Sequence, residues 1–73
     1  KLGRMKDALT ELEEELKINP RLVKAMIELG NIMVRLNRLD EGMKYFVEAM
    51  SLDPSSAPAK IGAGYVNFKK KQF

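Results

Sequence analysis

Residues 45–54 read YFVEAMSLDP, and residues 12–20 read LEEELKINP. Each stretch carries apolar residues at helical spacing into a short polar residue and then a proline. Proline has no amide hydrogen to give the helix and its ring clashes with the preceding turn, so a helix must stop near Asn19 and another near Asp53. Pro20 and Pro54 stand 34 positions apart. That spacing predicts a chain that builds one unit and then begins it again.

Sliding the sequence along itself by 34 positions supports this expectation. The shift pairs Asn19 with Asp53, Ile18 with Leu52, Leu16 with Met50, Leu12 with Phe46 and Ala8 with Gly42. It also pairs Ala25 with Ala59, Ile27 with Ile61 and Gly30 with Gly64. Met5, Leu39 and Phe73 form an apolar series at the same spacing, and Lys1, Arg35 and Lys69 form a basic one. Internal repeats of this length mark a supersecondary unit that cannot bury its apolar face alone and stacks on its neighbours.

Four helices follow from periodicity and stop signals. Residues 4–18 place Met5, Leu9, Leu12 and Leu16 on one stripe with Ala8 beside it. Residues 22–36 repeat the pattern with Met26, Leu29, Ile32, Met33 and Leu36, and Asn37 is a suitable stop because it tolerates the left-handed conformation. Residues 40–52 carry Met43, Phe46, Val47 and Met50, with Asp40 expected as the N-cap. The last helix, residues 56–71, is expected to start from Ser55 or Ser56, with Pro58 in its first turn, and to carry Ile61, Tyr65 and Phe68 at helical spacing. Connections of two to four residues force successive helices to pack antiparallel as hairpins. Gly30 and Gly64 lie inside helices, where glycine costs about 1 kcal/mol relative to alanine. Close approach of a neighbouring helix is the expected compensation.

Composition narrows the chemistry. A chain of 73 residues has room for one small domain, which buries only about 60% of the surface its unfolded form exposes. It contains no cysteine and no histidine, which removes disulfides, thiolate metal sites, the commonest metal ligand and the commonest general base. Glu11, Glu13, Glu14 and Glu15 spread around one helix and cannot converge on a substrate as a pair of catalytic carboxylates must. Thr10, Ser51, Ser55 and Ser56 have no histidine to activate them, and the glycines form no phosphate-cradling loop. Neither catalysis nor a cofactor or metal site is expected. The methionines are read as gap fillers between helices.

Charge is unevenly placed. Residues 1–19 carry four basic and five acidic side chains, residues 20–54 carry five of each, and residues 55–73 carry Lys60, Lys69, Lys70 and Lys71 with no acid. Lysines in the last turn of a helix complement its dipole, so nucleic-acid binding is not expected from them. No apolar run is long enough to insert in a membrane. Compartment is left open.

The repeat resembles the tetratricopeptide repeat, a helix–turn–helix unit of about 34 residues with the pattern W-x2-L-G-x2-Y, then A-x3-F, then P. Here the corresponding residues are Met26-x2-Leu29-Gly30-x2-Met33, then Gly42-x3-Phe46, Ala49 and Pro54. Leu29, Gly30, Phe46 and Pro54 match outright, while Met26, Met33 and Gly42 replace Trp, Tyr and Ala. Ala8-x3-Leu12 and Ala63-Gly64 extend the register to either side. The resemblance implies an all-α fold of antiparallel hairpins stacked as a right-handed α-solenoid. It divides the chain into the second helix of one repeat (4–18), a full repeat (22–53) and the first helix of a third (56–71). Such a frame, with no polar cap at either end, leads to the expectation of a piece of a longer array, or of a chain that covers its ends with another copy.

In that family the first helix of each hairpin lines a concave groove that holds a peptide. The resemblance therefore implies a non-catalytic interaction module with a protein or peptide partner. Its contact residues would be Lys24, Ile27, Glu28, Asn31, Val34 and Arg35 from the full repeat, and Ile61, Tyr65, Phe68 and Lys69 from the following helix. Asn31 can hydrogen-bond a peptide backbone, Arg35 and Lys69 can pair with carboxylates, and Tyr65 and Phe68 can supply aromatic area. Ile27, Val34 and Ile61 serve equally well as packing against the adjoining hairpin. A variant that grips the carboxyl terminus of chaperones needs a lysine one turn before the asparagine, where this chain has Ile27. The alternative function is self-assembly through uncapped ends or hairpin exchange, a low-cost route to dimers.

Overall fold

A computed structural model describes residues 2–71, with four helices and no strand among them. The helices are α1 (Leu2–Ile18), α2 (Val23–Arg35), α3 (Leu39–Leu52) and α4 (Ala57–Lys70). Lys1 and Phe73, the outer members of the basic and apolar series, lie outside the described residues. Connections of three or four residues turn the chain back after each helix. The result is an all-α array of hairpins, a slab 35 × 31 × 15 Å.

The two proline turns are built alike. The Asn19 carbonyl accepts from the Leu22 amide at 3.2 Å, and its side-chain oxygen accepts from the Arg21 amide at 3.4 Å. Thirty-four residues on, the Asp53 carbonyl accepts from the Ser56 amide at 3.1 Å, and its carboxylate accepts from the Ser55 amide at 3.3 Å. In each turn the proline takes the second position, where its fixed φ is already correct. Ser56 is the residue that caps α4, its hydroxyl accepting from the Ala59 amide at 3.4 Å.

Between α2 and α3 the chain turns on Asn37, whose φ is 63°. The Asn37 amide donates to the Val34 carbonyl at 3.0 Å and the Arg38 amide donates to the Met33 carbonyl at 2.7 Å. This pair of bonds is the Schellman arrangement, with asparagine in the left-handed position usually given to glycine. It leaves no room for a longer loop, and α3 starts earlier than the sequence suggests. The N-cap is Arg38, whose carbonyl already accepts from the Gly42 amide at 3.0 Å. Asp40 therefore sits inside the first turn, where its charge complements the helix dipole, and its carboxylate pairs with Lys70 of α4.

The core runs through the slab in three joined clusters. Leu12 of α1 meets Ala25 and Leu29 of α2, with Leu9, Leu16 and Tyr45 packed alongside. Met26 of α2 meets Ala49 of α3 and Ala59 of α4. Phe46 of α3 meets Ala63 and Val66 of α4. Phe46, Met26, Leu29 and Val66 are the largest fully buried side chains, each worth about 2 kcal/mol in apolar surface removed from water.

The Phe46 ring decides how close α4 comes. A methyl group built on Gly30 would stand 2.7 Å from the ring, and one built on Gly62 would stand 2.3 Å from it. The ring is therefore wedged between bare backbone on α2 and bare backbone on α4. Gly64, expected from the repeat to be the close-approach position, has nothing within 4 Å of such a methyl group. The reason is positional. Helix α2 has α1 on one side and α3 and α4 on the other, whereas α4 packs only on α3 and α2 among the described residues. Met26, Gly30 and Met33 of α2 are buried, but Lys60, Gly64 and Asn67, which lie 34 residues further on, are exposed. Helix α4 buries the small residues Ala59, Gly62 and Ala63 together with Val66. Its large apolar residues Ile61, Tyr65 and Phe68 remain 71%, 48% and 58% exposed.

Candidate peptide-binding groove

Helices α2 and α4 run side by side because each follows a proline turn and α3 returns the chain between them. Their outward sides face a shared furrow. Its cationic part, about 480 Å³, is lined by Asn31, Val34 and Arg35 of α2 and by Tyr65 and Lys69 of α4. The apolar part, about 300 Å³, is lined by Asn31 and Val34 of α2, by Pro58, Ile61, Gly62 and Tyr65 of α4, and by Phe46 of α3. Asn31, Val34 and Tyr65 belong to both parts. One continuous surface therefore passes from an apolar hollow to a pair of cations.

Local structure places each of these groups. Arg35 is the last residue of α2 and Lys69 lies in the last turn of α4. Lys69 folds back along its helix so that Nζ lies 5.7 Å from the centre of the Tyr65 ring. That contact, worth about 0.5–1 kcal/mol at an exposed site, holds the ammonium over the furrow. Neither Arg35 nor Lys69 pairs with a carboxylate among the described residues; the ion pairs are Arg38 with Glu41 and Lys70 with Asp40. Among the described residues the furrow lining contains no acid. The helix C-termini contribute roughly half a negative charge each, less than the two full positive charges beside them.

Six of the ten residues singled out from the sequence meet here: Asn31, Val34, Arg35, Ile61, Tyr65 and Lys69. The other four do not. Lys24 and Glu28 border a separate hollow of about 180 Å³ with Leu12, Glu15, Leu22 and Ala25 on the α1 side of α2. Ile27 is half-buried and packs against the clusters centred on Met26 and on Phe46. Phe68 is exposed and lines neither part of the furrow. Val34 does both jobs, packing against the Phe46 cluster while bordering the furrow. Pro58 and Gly62 were not singled out as lining residues. Gly62 offers no side chain for a pattern to register, and the 34-residue offset points two positions away from it.

Another hollow, of about 470 Å³, lies between α1 and α3, bordered by Thr10, Glu13, Glu14, Leu16, Lys17 and Tyr45. Burial raises the Tyr45 phenol above its ordinary range, and the charges of Glu13, Glu41 and Glu48 push the same way. Thr10 bonds its own helix, donating to the Lys6 carbonyl at 3.0 Å. Among the described residues no group of three or more Asp or Glu side chains is gathered closely enough to hold a metal ion. No described helix is long and apolar enough to cross a membrane.

The chain matches no family model. It is similar to a stretch of the heat shock protein STI1 of Saccharomyces cerevisiae, 36% identical over 66 residues. That alignment takes in 90% of this chain and 11% of STI1, so the chain spans about a tenth of the length of the protein it resembles.

Proposed function

We propose that this chain is a tetratricopeptide-type repeat segment, non-catalytic, that binds an extended peptide or protein segment in the furrow between α2 and α4. The observation that carries the reading is the lining itself. Asn31, Arg35, Tyr65 and Lys69 are polar or aromatic residues with no structural partner among the described residues that accounts for them, apart from the contact between Tyr65 and Lys69. They surround a hollow floored by Phe46 and Gly62. Grooves of this kind give a peptide backbone a hydrogen-bonding amide and give its side chains apolar and charged pockets. The Leu29-Gly30, Phe46 and Pro54 pattern and the similarity to a segment of a heat shock protein support the assignment to the repeat class. Partner binding should weaken about tenfold on Tyr65→Ala or Arg35→Ala, with helicity kept, because both side chains project from surfaces that the core does not use. Equal affinity of both variants and the parent chain for a captured partner rules the furrow out.

One observation favours a second reading, self-association. Ile61 and Phe68 are exposed on α4, and Gly64 beside them opens onto empty space where its counterpart Gly30 receives an aromatic ring. Sedimentation equilibrium over a wide concentration range separates the two. A monomer throughout leaves the furrow as the interaction surface, and a concentration-dependent dimer that Phe68→Ser dissolves makes α4 the contact.

A further inference from the structure

The packing of α1 on α2 is the packing of α3 on α4 made 34 residues earlier. Leu12 meets Leu29 as Phe46 meets Ala63. The packing of α2 on α3 has no such counterpart, because among the described residues α1 packs only on α2, and α4 only on α3 and α2. One side of α4 and one side of α1 are therefore open, and the residues of the α2–α3 contact have their 34-residue counterparts there. Met26 and Ala49 share a buried cluster. Their counterparts are Lys60 on α4 and Glu15 on α1, both exposed and neither in an ion pair among the described residues. Gly30 receives the Phe46 ring; its counterpart Gly64 opens onto empty space, and the counterpart of Phe46 is Leu12. Gly42 lies against the Gly30 carbonyl and Val34, and the counterparts of Gly42 and Val34 are Ala8 and Phe68. Leu52 packs against the Met26 cluster, whereas its counterpart Ile18 is 86% exposed.

We infer that copies of this chain dock head to tail, the open side of α4 in one copy receiving α1 of the next as α2 receives α3, with Lys60 paired to Glu15. This inference rests on the self-association reading above and names the surface that meets α4. Charge chooses the occupant. Residues 55–73 hold lysines and no acid, while the C-terminal half of α1 holds Glu11, Glu13, Glu14 and Glu15. Antiparallel docking lays that acidic half along the start of α4, where Lys60 stands. At the far end Lys71 and Arg4 take the places of Asn37 and Arg38, which are exposed, so water and salt screen their repulsion. Removing Lys60 and Glu15 from water carries a desolvation cost that Met26 and Ala49 do not have, which keeps the association weak and makes it depend on both charges. Ile18 and Phe68 supply apolar area at the two ends of the contact. Since each copy carries one face of each kind, association does not stop at a symmetric dimer but continues as a series. The residues lining the furrow between α2 and α4 take no part.

The test is sedimentation equilibrium of the 73-residue chain at low and moderate salt, with circular dichroism on the same samples to confirm that helicity is kept. The parent chain should form a concentration-dependent series that weakens as salt rises. Glu15→Lys and Lys60→Glu should each weaken it about tenfold, and a 1:1 mixture of the two variants should restore it, because each then meets a face of opposite charge. Ile18→Ser, at a side chain the core does not use, should weaken it as well. If Phe68→Ser dissolves the association but Glu15→Lys and Ile18→Ser do not, α4 meets another α4; self-association stands and the head-to-tail pairing is overturned. If Tyr65→Ala or Arg35→Ala abolishes the series, the furrow is the contact and the pairing is again overturned. If the parent chain is a monomer at every concentration, the self-association reading and this inference fall together.

Discussion

Two glycine-to-alanine substitutions, two positions apart on the same helix, should have opposite effects. Every glycine in the described residues has an ordinary negative φ, so alanine fits the backbone at either site, and replacing a helical glycine gains about 1 kcal/mol. At Gly64 the new methyl group meets nothing within 4 Å, and the gain stands uncorrected. At Gly62 it would lie 2.3 Å from Cε1 and 2.4 Å from Cζ of Phe46, against an ordinary contact of 3.4 Å or more. About 1.1 Å must be found. The ring has no retreat, because on its other side it already lies within 2.7 Å of where a Gly30 methyl group would stand. Overpacking of this kind costs typically about 1–3 kcal/mol, and a trapped ring belongs in the upper half of that range. Gly62→Ala should therefore lose about 1–2 kcal/mol net. The two variants should differ by about 2–3 kcal/mol, out of a total stability of about 4–11 kcal/mol for a chain this long. Thermal unfolding followed by far-UV circular dichroism reads the gap directly, since each kcal/mol moves the midpoint by about 4–8 °C in a domain of this size. Phe46→Leu should cost less in the Gly62→Ala background than alone, because the smaller side chain relieves the clash and the two effects then couple. Gly62→Ala melting at or above the parent chain, with Gly64→Ala melting below it, would refute the wedged ring and with it the placement of α4.

Ser56→Ala removes the hydroxyl that caps α4 and should lower stability by about 0.5–1 kcal/mol, at the modest end because that bond is long at 3.4 Å; urea midpoints check it. Asn37→Ala should cost about 1 kcal/mol and Asn37→Gly should cost nothing, since alanine resists the positive φ that glycine accepts freely; thermal midpoints of the pair decide this. Tyr45 has a phenol pKa raised above 10.0 by burial and by nearby carboxylates. The folded state therefore holds the proton more tightly than the unfolded one. This stabilisation is complete below pH 10 and is lost as pH rises through the folded value. Tyr45→Phe should flatten the alkaline decline in melting temperature, and an unchanged slope would show that the phenol is not responsible.

Much of the fold was legible because helices and their ends are local chemistry. Proline at positions 20 and 54 stops a helix whatever surrounds it, and asparagine at 37 accepts the left-handed turn on its own account. The 34-residue repeat then implied hairpins that must stack, since a stripe such as Met5, Leu9, Leu12 and Leu16 cannot stay in water. Within the furrow, the repeat register brought six residues of the candidate site to one surface. Lys24 and Glu28 are exposed on the α1 side of α2 and Ile27 packs inward, because α2 has neighbours on two sides and periodicity cannot say which neighbour an outward residue lies beside.

Other features depend on how far apart two helices lie, and no single helix contains that information. Asp40 looked like a cap until the tight turn at Asn37 moved the helix start forward to Leu39. Gly64 matches Gly30 in every local respect, yet the Phe46 ring lies over Gly62, because the last described helix rests on α3 through the stripe that runs along Ala59, Gly62, Ala63 and Val66. The sequence by itself determined four helices, two helix stops at prolines 34 residues apart and a repeating unit, since the helices and their stops rest on backbone chemistry within a few residues. Only the tertiary structure decided which glycine carries the ring, which apolar side chains stay outside, and that an uncharged hollow lies next to two cations with no carboxylate partner among the described residues. Those outcomes depend on distances between groups far apart in the chain, set by how closely the packed helices approach.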